Sequence, residues 1–216
     1  MLQNWLEPVS ISAPLPQDEL FSHQMGRCLA VFTDKFPDLR NIKVALLGGH
    51  SAAANLVRRE LYRFSSPFPE QVADLGNVRS NSPDFLAPLL RELLQGGVLP
   101  VLIGGSGELM RAQFQAYQEV RALVNVSAVD DRIRFHPEAE GAELWLNPIL
   151  RKKVSPLFLF NTVGYQRHLT DPAVLRHFEE ALYDHVRLGE AREDIRRVEP
   201  LARDADMLTF HLAALN

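Results

Sequence analysis

Leu123 to Phe135 reads LVNVSAVDDRIRF, an uncharged, valine-rich run that stops at two adjacent carboxylates, Asp130 and Asp131. A short apolar run without alternating polar positions is the pattern of a strand buried on both faces, as in a parallel sheet. Working outward, the same kind of run recurs at KVALLGG (43–49), QVADLGN (71–77), VLPVLIGG (98–105), SPLFLFNTVGYQ (155–166) and DMLTFHLAAL (206–215). Helical patterns separate these runs: AAANLVRRELYRF (52–64), SPDFLAPLLRELLQGG (82–97) and ELMRAQFQAYQEV (108–120). Ser82 is placed to cap the second of these and its closing glycines to stop it. DPAVLRHFEEALYDHVRLGE (171–190), with Asp171 as cap and Pro172 at its first position, reads as one helix, and AREDIRRVEPLARDA (191–205) as another. Residues 130–156 read as irregular. Strand and helix alternating in this way predict an α/β fold, three layers in αβα order around a mostly parallel sheet.

Ahead of this region, three prolines within residues 8–16 predict an extended arm, and a helix is expected from about Gln17 to Phe36. The expected organisation is an arm and helix over 1–40, packed on an α/β domain over 41–216, as a single domain. Cys28, the only cysteine, lies in the apolar helical pattern MGRCLAVF and reads as a small buried hydrophobe; no internal disulfide can form.

The 216 residues are 46% hydrophobic and 23% charged, ordinary for a globular protein with a sizeable core. A net charge of −4 supplies no positive field for nucleic acid or an anionic membrane, and neither partner is expected. The first twenty residues lack the basic start and apolar core of a secretory signal, and no run approaches a membrane span. A cytoplasmic protein is expected.

Ligands of parallel sheets bind beyond the C-terminal strand ends. The residues to inspect are therefore those of GGHS (48–51), GGSGE (104–108), SAVDD (127–131), NTVGYQ (161–166) and HLAALN (211–216). His50, Ser106 and Ser127 are candidate ligand-binding residues there. Asp130 is expected to point away from Asp131, because neighbours on a strand face opposite sides. No residue is assigned a catalytic role. Ser106 has only part of the spacing of a nucleophile elbow, and close backbone packing is the simpler account of its glycines.

From about Lys43 onward these strand ends resemble the ureohydrolase family of arginase, agmatinase and formimidoylglutamase. VRREL (57–61) is similar to the family's I-R-x-x-L, with Arg58 at the arginine. PVLIGGSGE resembles the strand ending in G-G-D-H-S, LVNVSAVDD the one ending in D-A-H-x-D, and ADMLTFHLAAL the one carrying S-x-D-x-D. NTVGYQ and RLGE look most like the formimidoylglutamase branch. The resemblance implies an arginase-like fold and, in the family, hydrolysis of linear amidines by a pair of Mn²⁺ ions that activate a bridging water.

Carried over position by position, the same resemblance puts Gly107 at the first histidine ligand, Ser127 and Val129 at an aspartate and a histidine, and His211 and Ala213 at two aspartates. Asp131 alone keeps its ligand identity, which leaves Asp131 and His211 as candidate metal ligands for a single Zn²⁺ or Fe²⁺ ion with a third residue, alternatively an Asp–His hydrogen bond at neighbouring strand ends. The resemblance thus implies an arginase-like protein without a working manganese pair and with no cofactor, binding a small molecule or a protein partner. The alternative is an active hydrolase of a formimidoylglutamate, agmatine or arginine type substrate. The family continues past the position of Asn216, with its last strands inserted between the third and fourth. A sheet lacking those strands leaves edges to be covered, so a homo-oligomer is expected. His211 is expected to approach Asp131 and to supply positive charge where the metals would sit.

Overall fold

The structure, a computed structural model, describes residues 2–9, 20–49, 52–65, 68–141, 143–152 and 155–215. His50 lies outside the described residues, as do residues 10–19, which hold the expected start of the first helix. The chain divides into two compact units, 1–116 and 117–216, where the sequence reading takes 41–216 as one domain.

In the first unit, β1 (Leu6–Glu7), β2 (Ala30–Val31), β3 (Val44–Gly48), β4 (Val72–Val78) and β5 (Leu99–Ile103) form one sheet. β3 lies between β4 and β5 and is parallel to both, with Val44 opposite Val72 and Leu99. β1 runs antiparallel to β4, and β2 runs parallel to it. The helices are α1 (Met25–Cys28), α2 (Ala52–Leu61), α3 (Pro83–Gln95) and α4 (Gly107–Val120). Ala45, Leu47, Ala73 and Leu75 from the strands pack with Leu86, Leu89, Leu90 and Leu93 of α3 and with Leu109 and Ala112 of α4. All are buried, so this sheet is covered as its continuous apolar strands require. Gly96 caps the C-terminus of α3, as expected, but Ser82 makes no side-chain capping bond.

The helix expected over 17–36 is not present in its described part. Only Met25–Cys28 is helical, and Ala30 and Val31 pair with Ala73 and Asp74 of β4 instead. Phe32 N–H donates to the Asp74 carbonyl at 2.8 Å, and Val9 N–H donates to the Phe32 carbonyl at 2.8 Å. A sheet edge offering unpaired backbone groups outweighs the local helical pattern. Cys28 is exposed rather than buried, its thiol donating to the Ser22 carbonyl at 3.2 Å.

Gly76 sits at φ +84° inside β4, and a Cβ built on it would lie 2.0 Å from the Glu7 carbonyl oxygen of β1. Both the backbone angle and the approach of β1 exclude a side chain. Gly76→Ala is expected to cost about 1–3 kcal/mol of stability. Urea denaturation checks this; an unchanged midpoint would show that β1 is not held against β4 as described.

In the second unit, β6 (Val124–Val129), β7 (Leu157–Tyr165), β8 (Asp184–Arg187) and β9 (Met207–Phe210) form an all-parallel sheet in the order β8-β7-β6-β9. α5 (Asn147–Leu150), α6 (Pro172–Glu180), α7 (Leu188–Glu193) and α8 (Glu199–Arg203) accompany it. Asp171 caps α6, accepting the Ala173 N–H at 2.7 Å. The single helix expected over 171–190 is corrected: α6 ends at Glu180, Leu182 turns at φ 57°, and β8 pairs with Asn161–Tyr165 of β7. The continuous helical pattern concealed a strand of four residues with one buried side chain, Val186. Phe160, Phe178 and Tyr183 meet edge to face, so the turn between α6 and β8 is fixed by aromatic packing.

The stretch expected to be irregular is held by Asn147. Its Oδ1 accepts the His136 N–H at 2.9 Å, and its Nδ2 donates to the Ala139 carbonyl at 2.9 Å. The fold class stands as a mixed α/β architecture with predominantly parallel pairing.

Candidate functional site

The site lies where β6 and β9 end, within the second unit. β6 stops at Val129, and the next two residues leave the strand. Asp130 N–H donates to the Val163 carbonyl at 3.1 Å, Gln166 N–H to the Asp131 carbonyl at 2.7 Å, and Asp131 N–H to Asp130 Oδ1 at 2.8 Å. This turn ends strand alternation, so the two carboxylates converge, contrary to the expectation that Asp130 faces away.

Arg134 joins them. Its Nε and Nη2 donate to the two Asp130 oxygens at 3.0 and 3.2 Å, and Nη2 also donates to Asp131 Oδ1 at 3.2 Å. Nη1 donates to Glu143 at 2.6 Å. Arg132 forms a second fork, donating to both oxygens of Asp131 at 2.8–3.2 Å. Asp130, Asp131 and Arg134 are all buried, whereas Arg132 is partly open to water. Buried Ile133 and Phe135 anchor the segment between and after the two arginines.

His211 follows the end of β9. Ligand atoms of Asp130, Asp131 and His211 lie within 4.8 Å of one another, so the expected approach of His211 and Asp131 is present, with Asp130 also at hand. His211 Nδ1 is 3.7 Å from Asp130 Oδ1. The same nitrogen accepts the Ala213 N–H at 3.2 Å and lies 3.4 Å from Arg134 Nη2. Arg134 donates to both aspartates, so a guanidinium stands beside the imidazole as a cation facing them.

These contacts shape the acids' titration. The Arg132 guanidinium holds the Asp131 carboxyl down at about 2. Burial pushes Asp130 up from its ordinary value, opposed by its hydrogen bonds from Arg134. A depressed carboxylate adds stability that is fully present above its unfolded pKa of about 4 and is lost as pH falls toward 2. Asp131→Asn is thus expected to lower stability at neutral pH by about 1–2 kcal/mol, discounted because Arg132 is partly solvated. It should also flatten the decline between pH 4 and 2. Thermal melts across that range check it; parallel wild-type and variant curves would contradict the assignment.

Of the other candidates, Ser127 is buried and committed elsewhere: its hydroxyl donates to the Leu201 carbonyl at 2.6 Å and accepts from Asn161 Nδ2 at 3.3 Å. Exposed Ser106 accepts the Glu108 N–H at 3.4 Å in the first turn of α4. Two glycines beside it serve close packing: a Cβ on Gly105 would lie 1.9 Å from Leu109 Cδ1, and one on Gly104 2.9 Å from the Ala54 nitrogen. Arg134 was missed by sequence reasoning. The signal was present in DDRIRF, where an arginine falls three and four residues after the paired acids.

No family model and no curated protein matches this sequence. Among solved structures, the chain is similar to formimidoylglutamase from Bacillus subtilis subsp. subtilis str. 168, with a TM-score of 0.66 at 16% identity over 87% of this chain and 68% of that one. Similarity to a formiminoglutamase from Trypanosoma cruzi, solved with Mn²⁺, has a TM-score of 0.65 at 13% identity over 82% and 70% of the two chains. Agmatine ureohydrolase of Thermoplasma volcanium gives 0.60 at 12% over 81% and 67%. The fold is the arginase-like one that these structures share.

Proposed function

We propose that this is an arginase-fold protein that acts without a dinuclear manganese centre, as a non-catalytic binding or interaction protein. The observation that carries the reading is Arg134, whose guanidinium bridges Asp130 and Asp131. Those acids are already matched by two arginines, with Glu143 on the outer side of Arg134. Two dications need several anionic oxygens to offset their charge. Here they would meet two engaged carboxylates, one imidazole and two fixed cations. Gly107, Val129 and Ala213, at three further ligand positions implied by the resemblance, carry no ligating side chain. The donor set does not fit the pair of ions.

The test is an assay of the full chain with Mn²⁺ and formimidoylglutamate, agmatine or arginine. Release of formamide or urea at the buffer rate is expected. Turnover that depends on both added Mn²⁺ and an intact Asp131 would overturn the proposal.

We also propose self-association. Among the described residues β9 is an edge strand, and Leu208 and Phe210, on one face of it, are each 52% exposed. Apolar edges of this kind are normally covered. Light scattering is expected to show a mass above 24.4 kDa per particle; a monodisperse monomer over a wide concentration range would contradict it.

A further inference from the structure

The two sequence signatures NTVGYQ and RLGE take no part in the carboxylate–arginine cluster, yet the fold brings them together. NTVGYQ ends β7, RLGE runs from the last residue of β8 into α7, and these two strands are parallel neighbours. Beyond their C-terminal ends opens a cleft of about 490 Å³, lined by Tyr165, Arg167, Arg187, Glu190, Arg192 and Glu193 among others. A smaller hollow of about 200 Å³ shares four of these residues and adds His185 and Glu179. This position, past the ends of parallel strands, is where α/β sheets hold ligands, and the volume suits a small solute.

The charges are unevenly satisfied. Arg187 pairs with Glu190 at 3.4 Å, and Glu190 also accepts the Arg187 backbone N–H at 3.0 Å. Glu190 lies 4.0 Å from Arg197 as well. Arg167 and Arg192, by contrast, make no side-chain hydrogen bond or ion pair among the described residues. Tyr165 is 96% buried, its ring edge-on to His185, and its hydroxyl makes no hydrogen bond among the described residues. The ring is buried but the hydroxyl oxygen is not, so a solute or water in the cleft can reach it.

We infer that this cleft is a binding site for a small organic monocarboxylate, held by the guanidinium groups of Arg167 and Arg192 and by the Tyr165 hydroxyl. Guanidinium forks match carboxylate geometry through paired N–H donors. The cleft has three arginines against two glutamates, which favours one negative charge. Glu193 in the cleft and Glu179 in the adjoining hollow oppose a second, so inorganic phosphate binds less well. The inference rests on the ligand-binding side of the proposed function and names the class of ligand.

The experiment is a ¹H–¹⁵N NMR titration of the full chain with butyrate and, separately, with inorganic phosphate, following the arginine Nε–H signals. Saturable shifts at Arg167 and Arg192 with butyrate are expected, with phosphate at least several-fold weaker. Arg167→Met and Arg192→Met should each weaken butyrate binding about tenfold, and Tyr165→Phe a few-fold; both arginines are exposed, so these variants should fold. Shifts that stay linear with concentration, persist in the double arginine variant, or saturate more tightly with phosphate would overturn the inference. Its failure is distinguishable from failure of the proposed function, which turns on manganese-dependent hydrolysis at Asp130 and Asp131 and involves none of these residues.

Discussion

Replacing Asp74 by alanine is expected to remove about 3–5 kcal/mol of stability. Arg58 and Asp74 are both fully buried in the first unit, with Nε and Nη2 of the arginine donating to the two carboxylate oxygens at 2.7 and 3.0 Å. The remaining donors are also engaged. Nη2 reaches the Gly76 carbonyl at 2.7 Å, and Nη1 reaches Asn77 at 2.6 Å and Asn55 at 3.2 Å. Asp74 in turn accepts the Tyr62 hydroxyl at 2.9 Å and the Gly76 N–H at 2.9 Å. Removing the carboxylate leaves a guanidinium in a dry interior without its counter-charge, and a loss of this size is a large share of a domain's typical stability. Tyr62→Phe, which removes one hydrogen bond and no charge, should cost about 1 kcal/mol. Urea denaturation measures both. An Asp74→Ala loss no larger than that of Tyr62→Phe would show that the pair is not buried as described.

Replacing Arg134 by methionine has the second largest expected effect, about 2–4 kcal/mol, because two buried carboxylates lose their shared cation. The variant has a second readout. With the guanidinium gone, Asp130, Asp131 and His211 present two carboxylates and an imidazole that can converge on one ion. Arg134→Met is expected to bind Zn²⁺ or Mn²⁺ at one site per chain, weakly, and to regain stability when the ion is added. A variant that is destabilised and indifferent to metal would leave Arg134 as an ordinary ion pair and remove the idea that it stands in a metal's place.

The fold was readable wherever periodicity and length agreed. The strands at 44–48, 72–78, 99–103, 124–129 and 157–165 are long apolar runs, and each forms. β8 was not readable, because DHVR is short, apolar only at Val186 and continuous with the preceding helical pattern; its identity comes from pairing with β7, a long-range contact. The N-terminal segment failed similarly, since the edge of β4 captures Ala30 and Val31. At the site, Asp131 and His211 were singled out by the family resemblance of the strand ends that carry them. The pairing of Asp130 with Asp131 was missed because alternation was extended past the last strand residue, Val129. Arg58 was singled out from its motif, but its partner Asp74 lies inside a strand pattern where a charge carries no local signal.

The central claim is that a fixed guanidinium, rather than a pair of metal ions, neutralises the acids at the end of β6. Calorimetric titration of Mn²⁺ into the full wild-type chain, purified without chelators, with metal content measured by mass spectrometry, tests it most directly. The account predicts no stoichiometric manganese in the purified protein and no saturable heat on titration. Two tight manganese sites per chain, lost on Asp131→Ala, would contradict it.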